Sequence, residues 1–187
     1  MPEYNYVRAL IKSGDILLCS GNGLFPKMIK KFTRSKWSHV GFIIRVDSID
    51  RIMVLESVEN IGVRCVPLSS YFNDYNGSGK PYNGEVNIAR HNEMHEINIT
   101  NLSQHAVDLL GHRYDTLEIL RIFYRLALPF FFKGHESLNK TDDVYICSEY
   151  VYSCFKSIGI SIKHEGGFVI PSDFANDKNI KFVCRAV

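Results

Sequence analysis

A histidine, a glutamate and a cysteine lie at three separate points of the chain where each could take part in nucleophilic catalysis. His39 stands where a polar stretch meets an apolar, β-branched run over residues 40–46. A strand there would fix the position of the imidazole while the preceding loop leaves the ring reachable. The alternative is a histidine that packs in the core or at a sheet edge.

The glutamate of this set, Glu56, interrupts an otherwise apolar run at residues 54–57. Burying a carboxylate is costly unless the group is paired. The predicted strands that carry His39 and Glu56 follow each other along the chain and can form a hairpin. Glu56 would then accept a hydrogen bond from one ring nitrogen of His39 and orient the imidazole. Alternatively, Glu56 points at water, because successive strand residues alternate between faces.

Cys147 opens a predicted helix after a polar segment. The first-turn amides and the helix dipole favour a thiolate at such a position and can hold an oxyanion. A nucleophilic cysteine needs a base, and the base needs an orienter, which the histidine and the glutamate would supply. The alternative is a small buried apolar residue, as we expect for Cys19, Cys65, Cys154 and Cys184. Spacing alone leaves open whether the three residues meet.

The elements that must position these residues follow from apolar periodicity, turns and helix stops. Strands are predicted at residues 16–19, 40–46, 52–58, 62–66, 85–89 and 181–187, and helices at residues 24–35, 67–75, 102–110, 116–128 and 147–158. We therefore predict one α+β domain over residues 1–187, with an antiparallel sheet packed by helices. We expect residues 116–132, which begin with the apolar helix predicted at residues 116–128, to lie in the core. Alternatively, they line an apolar pocket or contact a membrane.

Composition excludes several classes of protein. The 187 residues are 45% hydrophobic and 22% charged, which is typical of a globular domain rather than a disordered chain. A net charge of +2 does not indicate a nucleic-acid-binding protein. Neither a signal peptide nor a membrane-spanning run is visible, so we expect a cytoplasmic protein. Five widely spaced cysteines match neither a disulfide scaffold nor a zinc ribbon.

Short segments in a fixed order resemble the circularly permuted branch of the NlpC/P60 superfamily of papain-like cysteine hydrolases, the YiiX-like group. They are Gly14-Asp15-Ile16-Leu17, Ser38-His39-Val40-Gly41, Glu56, the stretch 111–115, Cys147-Ser148-Glu149-Tyr150 and Pro171-Ser172-Asp173. The order histidine, acid, cysteine is that of the permuted branch. These segments together extend over nearly the whole chain.

The resemblance implies a papain-like fold in which Cys147 is the nucleophile, His39 the general base and acid, and Glu56 the orienter. A cysteine mechanism of this kind needs no metal and no organic cofactor. Tyr114 and Asp115 match a recurring pair of the family. Tyr114 is a candidate substrate contact, and packing is its alternative role.

We predict hydrolysis of an amide bond in a peptide or peptidoglycan-derived substrate through a thioester intermediate. One alternative is a lipid thioesterase or acyltransferase of the same superfamily. The lipid branch carries Asn-Cys-Glu-His at the nucleophile and a second histidine as orienter, whereas this chain has Ile146-Cys147-Ser148-Glu149 and Glu56. The other alternative is a non-catalytic binding module that keeps the fold.

Two further patterns carry weaker functional hypotheses. His91 and His95 are four residues apart but lack the H-E-x-x-H arrangement, so we predict a polar surface rather than a zinc site. In the helix predicted at residues 24–35, four basic residues oppose an apolar face; they are Lys27, Lys30, Lys31 and Arg34. An ordinary solvated face is the simplest interpretation, and contact with an anionic substrate or lipid surface is the alternative.

Overall fold

The computed structural model describes residues 2–94, 96–114, 145–164 and 168–187. The helices are α1 (Pro2–Leu10), α2 (Leu24–Thr33), α3 (Ser70–Asn73), α4 (Glu96–Asp108), α5 (Cys147–Ser157) and α6 (Pro171–Asn176). The strands are β1 (Ile16–Gly21), β2 (His39–Val46), β3 (Arg51–Val58), β4 (Gly62–Pro67), β5 (Gly84–His91) and β6 (Ile180–Arg185). Within these ranges, no helix is both long and apolar enough to cross a membrane.

The six strands form one sheet in the order β4-β3-β2-β1-β5-β6, and every neighbouring pair is antiparallel. The predicted α+β class with an antiparallel sheet is therefore confirmed. β1 lies in the interior of the sheet, and its residues Ile16 to Cys19 are fully buried. Their continuous apolar character is typical of a strand that is covered on both faces.

Helices and loops cover both faces of the sheet with separate apolar layers. On one face, Leu18, Phe42 and Leu55 pack with residues of α5 such as Tyr150 and Phe155. On the other face, the layer contains Val7, Leu17, Ile43 and Tyr71. Full burial of such a side chain stabilises the fold by about 1.5–3 kcal/mol. The strands that carry His39 and Glu56 are thus held between two packed layers.

The Gly14-Asp15 segment has a structural role at the entry to β1. Asp15 is fully buried and accepts hydrogen bonds from Arg90 at 2.5 and 2.8 Å and from the Lys12 amide at 2.8 Å. Arg90 also donates to the Leu10 carbonyl at 2.9 Å. The ion pair between Asp15 and Arg90 therefore joins β1 to β5, two strands that lie far apart along the chain. The bond from Arg90 to Leu10 adds the end of α1 to this contact.

Helix α2 connects β1 to β2 and has the apolar stripe that its sequence predicts. Ile29 is buried and packs with Phe25 and Phe32 of the same helix and with Ile146. The helix ends at Thr33, since Arg34 adopts a left-handed conformation with φ of 50°. This packing places α2 directly beside the residue that precedes Cys147.

The element predictions were incomplete at two helices. Neither α1 nor α6 was predicted. Val7 is the one buried residue among residues 3–10, so α1 shows little of the apolar periodicity that identifies a helix. Helix α6 has six residues, which is short for such a pattern. The helix expected at residues 67–75 is shorter, because four residues of it are α-helical in α3. The helix predicted at residues 116–128, its extension to residue 132, and Asp115 lie outside the described residues.

Two predictions about exposure were wrong. His91 does not contribute to a polar surface: it ends β5, pairs with Ile180 of β6 and is buried. Cys65 is exposed rather than buried, because it lies on the outermost strand β4. Cys184, on the opposite edge strand, is partly exposed, while Cys19 and Cys154 are buried as expected. His95 lies outside the described residues.

Candidate active site

The hairpin of β2 and β3 brings His39 and Glu56 into direct contact. His39 Nε2 lies 2.5 Å from Glu56 Oε2. The β2–β3 register begins at Phe42 and Leu55, whereas the start of β2 pairs with β1. Gly41, just before this register begins, lies against Glu56: a Cβ on Gly41 would lie 3.2 Å from Glu56 Cβ. Glu56 is fully buried, so the alternative that it points at water is wrong.

Glu56 is held by donors on both carboxylate oxygens. Besides the His39 contact, Oε2 accepts a hydrogen bond from the Tyr71 hydroxyl at 2.5 Å. Oε1 accepts from Arg64 Nε at 2.9 Å and from Arg64 Nη2 at 2.7 Å. Burial alone would raise the pKa of Glu56, but the hydrogen bonds and the charges of His39 and Arg64 lower that pKa to about 2. The carboxylate is therefore ionised at neutral pH.

His39 is paired with groups on two sides. Its ring contacts Glu56 through Nε2, and the Cys147 thiol lies within hydrogen-bonding range of the same ring. Burial lowers the pKa of His39, but hydrogen bonds with Cys147 and Glu56 and their negative charges outweigh burial and raise that pKa to about 10. At neutral pH the imidazole is therefore held as a cation.

Cys147 is the first residue of α5, as predicted, and hydrogen bonds fix this end of the helix. The Ser57 hydroxyl of β3 donates to the Tyr145 carbonyl at 2.7 Å. The Ser148 hydroxyl donates to the Val169 carbonyl at 2.6 Å, and the Tyr150 hydroxyl to the Ala106 carbonyl at 3.0 Å. The helix start is thereby tied to β3, to α4 and to the segment before α6.

The backbone at this helix start can stabilise negative charge. The first helical hydrogen bond runs from the Tyr150 amide to the Ile146 carbonyl at 3.0 Å. The amides that precede Tyr150 in the first turn, including those of Cys147 and Ser148, have no acceptor within the helix. Amides in this position, together with the helix dipole, suit a thiolate or an oxyanion next to Cys147.

A second cysteine lies close to the same charges. Cys19 pairs with His39 across the β1–β2 ladder and is fully buried. Burial, followed by the negative charges of Glu56 and Cys147, raises the pKa of the Cys19 thiol well above its ordinary value. Cys19 therefore remains a neutral thiol, whereas Cys147 occupies the helix start and contacts the imidazole.

Tyr114 lies on an apolar wall beside the nucleophile position. This wall comprises Phe25, Ile29, Phe32, Tyr114, Ile146 and Phe168. Burial, and then the charge of Cys147, raises the pKa of Tyr114, so that its hydroxyl stays protonated. Tyr114 therefore packs against Ile29 and Ile146, and its role as a substrate contact stays a prediction.

Sequence reasoning missed the two residues that hold Glu56 besides His39. Arg64 lies directly opposite Glu56 in the β3–β4 register. The strands predicted at residues 52–58 and 62–66 leave three residues for the turn between them. Such a turn places Glu56 opposite Arg64, so the pairing could have been found. Tyr71 reaches Glu56 from α3, and no sequence signal indicates that long-range contact.

The chain was compared with known families, curated proteins and solved structures. The model of a family described as permuted papain-like amidase enzymes, YaeF/YiiX, C92 family, matches residues 10–121. That range includes His39 and Glu56 and ends before Cys147. The search of curated proteins finds no match.

The crystal structure of YiiX from Escherichia coli O157:H7 is similar to this fold. The two chains are 18% identical with a TM-score of 0.65, and the alignment covers 93% of this chain and 97% of YiiX. This similarity confirms the predicted permuted papain-like fold. YiiX itself is described as a metalloprotein. Among the residues that our structure describes, no group of three or more His, Cys, Asp and Glu side chains is arranged to hold a metal ion.

Gly41 leaves the space that Glu56 occupies, and we expect Gly41→Ala to displace the glutamate. An added Cβ would lie 3.0 Å from the Leu55 carbonyl and 3.2 Å from Glu56 Cβ. Since small misplacements in an active site can be costly, alkylation of Cys147 at neutral pH should slow by about tenfold to a hundredfold. Gly23→Ala is the matched control, because its nearest contact is an ordinary 3.5 Å. Equal rates in Gly41→Ala and wild type would contradict this account.

The donors to Glu56 should determine the stability of the protein in acid. The pKa of Glu56 is lowered from 4.5 to about 2, so its contribution to stability is complete above pH 4.5 and is lost as the pH falls towards 2. Tyr71→Phe removes a hydrogen bond to a charged group, worth about 1.5–3 kcal/mol. We expect its acid unfolding midpoint, followed by circular dichroism, to move to higher pH.

Tyr6→Phe is the control for this experiment, since Tyr6 is 68% exposed and should leave the midpoint unchanged. Acid unfolding of Tyr71→Phe at the wild-type pH would mean that this hydrogen bond does not stabilise the ionised carboxylate.

Proposed function

Because the chain belongs to the permuted papain-like amidase family, we propose that it hydrolyses an amide bond in a peptide or a peptidoglycan-derived fragment, with Cys147 as nucleophile. The observation that carries this proposal is the position of the His39 ring between Glu56 and the Cys147 thiol. A base that interacts with the nucleophile and with an orienter is the arrangement that covalent acyl transfer requires.

In the first half of the reaction, the Cys147 sulfur attacks the carbonyl carbon of the amide. The first-turn amides of α5 stabilise the negative charge on the oxygen of the tetrahedral intermediate. The His39 imidazolium donates its proton to the leaving nitrogen, the carbon–nitrogen bond breaks, and the amine departs. The acyl group remains on Cys147 as a thioester.

In the second half, water releases the acyl group. The neutral His39 formed in the first half takes a proton from a water molecule, whose oxygen attacks the thioester carbonyl. The carbon–sulfur bond breaks, the carboxylic acid leaves, and the imidazolium–thiolate pair is restored. Glu56 remains ionised throughout and stabilises the cationic imidazole, as an orienting residue does.

A peptide substrate suits this site, with Tyr114 as a contact for it. The apolar wall around Ile146 would accept an apolar part of the substrate next to the scissile bond. All five cysteines are free, which is compatible with a reducing, cytoplasmic compartment. A peptidoglycan-derived substrate would reach that compartment as an imported or recycled fragment.

A lipid acyl substrate is the second candidate, and the same apolar wall favours it. Three phenylalanines and two isoleucines beside Cys147 would also accommodate an acyl chain. The reaction would form the same thioester from a lipid ester, thioester or amide. The two candidates differ in which acyl donor yields the covalent intermediate.

The test is a panel of peptidoglycan peptides and acylated lipids incubated with the full chain. We expect release of an amine from a peptide substrate and a mass increase on Cys147 in rapidly quenched samples. Cys147→Ala should lower the turnover by roughly a millionfold, as removal of a nucleophile does. Cys65→Ala is the control, because that thiol is exposed on edge strand β4, and it should keep full activity.

Retained turnover in pure Cys147→Ala would reject the mechanism. Turnover of acylated lipids alone would select the second candidate. Turnover of neither class, with wild-type Cys147 as slow to alkylate as Cys65, would mean that the chain is a binding module.

A further inference from the structure

Positive charge is concentrated around α2. Residues 16–46 contain no Asp or Glu, whereas the whole chain has a net charge of +2. The basic residues of this stretch are Lys27, Lys30, Lys31, Arg34, Lys36 and Arg45. The structure places four of them on α2 or at its C-terminal end. The charge is therefore a local property of this part of the surface.

The solvent-facing side of α2 combines cations with apolar side chains. Leu24, Lys27, Met28 and Lys31 follow the spacing i, i+3, i+4 and i+7 and lie on one face, which we call the α2 outer face. Leu24 is 86% exposed and Met28 43% exposed, and both lysines are exposed. Large apolar side chains exposed among charges on one face are typical of a contact surface.

The cations of this face are available to an external partner. Lys30 donates to the Ser20 hydroxyl at 3.3 Å and Lys36 pairs with Glu85 at 3.1 Å. In contrast, Lys27 and Lys31 form no ion pair with any residue in the described part of the chain. An anionic partner would neutralise charges that the protein itself leaves uncompensated.

The opposite side of α2 contacts the candidate active site. Ile29 packs on Ile146, the residue before Cys147, together with Phe25 and Phe32. One helix, about 10–12 Å across, therefore separates the α2 outer face from the apolar wall. A partner bound to the outer face would therefore lie about one helix diameter from this apolar wall.

We propose that the α2 outer face binds an anionic lipid bilayer. Lys27 and Lys31 would contact lipid phosphates while Leu24 and Met28 enter the boundary between headgroups and acyl chains, as in other amphipathic interfacial helices. A soluble polyanion or a nucleic acid is the weaker alternative, because it offers no apolar layer in which Leu24 and Met28 are buried. This inference goes beyond the proposed hydrolysis and does not depend on it.

The test is sedimentation of the full chain with phosphatidylcholine vesicles that do or do not contain phosphatidylglycerol. We expect binding to the anionic vesicles, weakened by salt because exposed charges are screened. The double variant Lys27→Ala/Lys31→Ala should bind about thirtyfold more weakly, or about fivefold for each lysine. Leu24→Ser/Met28→Ser should bind about tenfold more weakly or worse, since less apolar surface enters the bilayer.

Lys80→Ala/Lys163→Ala is the matched control, because it removes two exposed lysines that lie outside α2. The proposal is overturned if anionic and neutral vesicles bind equally, or if the control variant loses as much binding. It is also overturned if soluble polyglutamate binds as tightly as the vesicles. No turnover is measured, so the result is independent of the hydrolysis proposal.

Discussion

The buried carboxylate of Glu56 is the constraint on which the rest of this structure depends. An ionised group without solvent is tolerated only when charges and hydrogen bonds compensate its lost hydration. Here His39, Tyr71 and Arg64 supply that compensation from three different elements, β2, α3 and β4. The same hydrogen bonds that make the burial possible also fix the imidazole. Stability of the sheet and orientation of the base are therefore consequences of one network.

The network also depends on a small residue beside it. β2 pairs with β1 from His39 onward, and its register with β3 begins at Phe42. Gly41 lies next to that position and lacks the Cβ that would come within 3.2 Å of Glu56 Cβ. Helix α5 then brings Cys147 to the ring from the other side, anchored by Ser57 of the same strand as Glu56. One strand thus positions both the orienter and the start of the nucleophile's helix.

Sequence reasoning went furthest where local patterns decide the structure. The β-branched runs and the apolar stripe of α5 identified the strands and placed Cys147 at a helix start. Contacts over long sequence separations were not accessible in this way. Tyr71 reaches Glu56 from α3, and Cys19 lies beside His39 through strand pairing. His91 is polar in type but is buried at the end of β5, where it pairs with Ile180 of β6, and composition does not reveal this. The family resemblance supplied the grouping of His39, Glu56 and Cys147 that spacing alone left open.

The proposed chemistry depends on Cys147 and His39 acting as a coupled pair, and the alkylation rate of Cys147 as a function of pH measures this coupling. The measurement uses iodoacetamide and peptide mass spectrometry on wild type and His39→Ala. We expect fast reaction on a plateau that extends well below pH 8 in wild type and is lost in the variant. Slow reaction that rises near pH 8.5 in both proteins, as for an isolated cysteine, would contradict it.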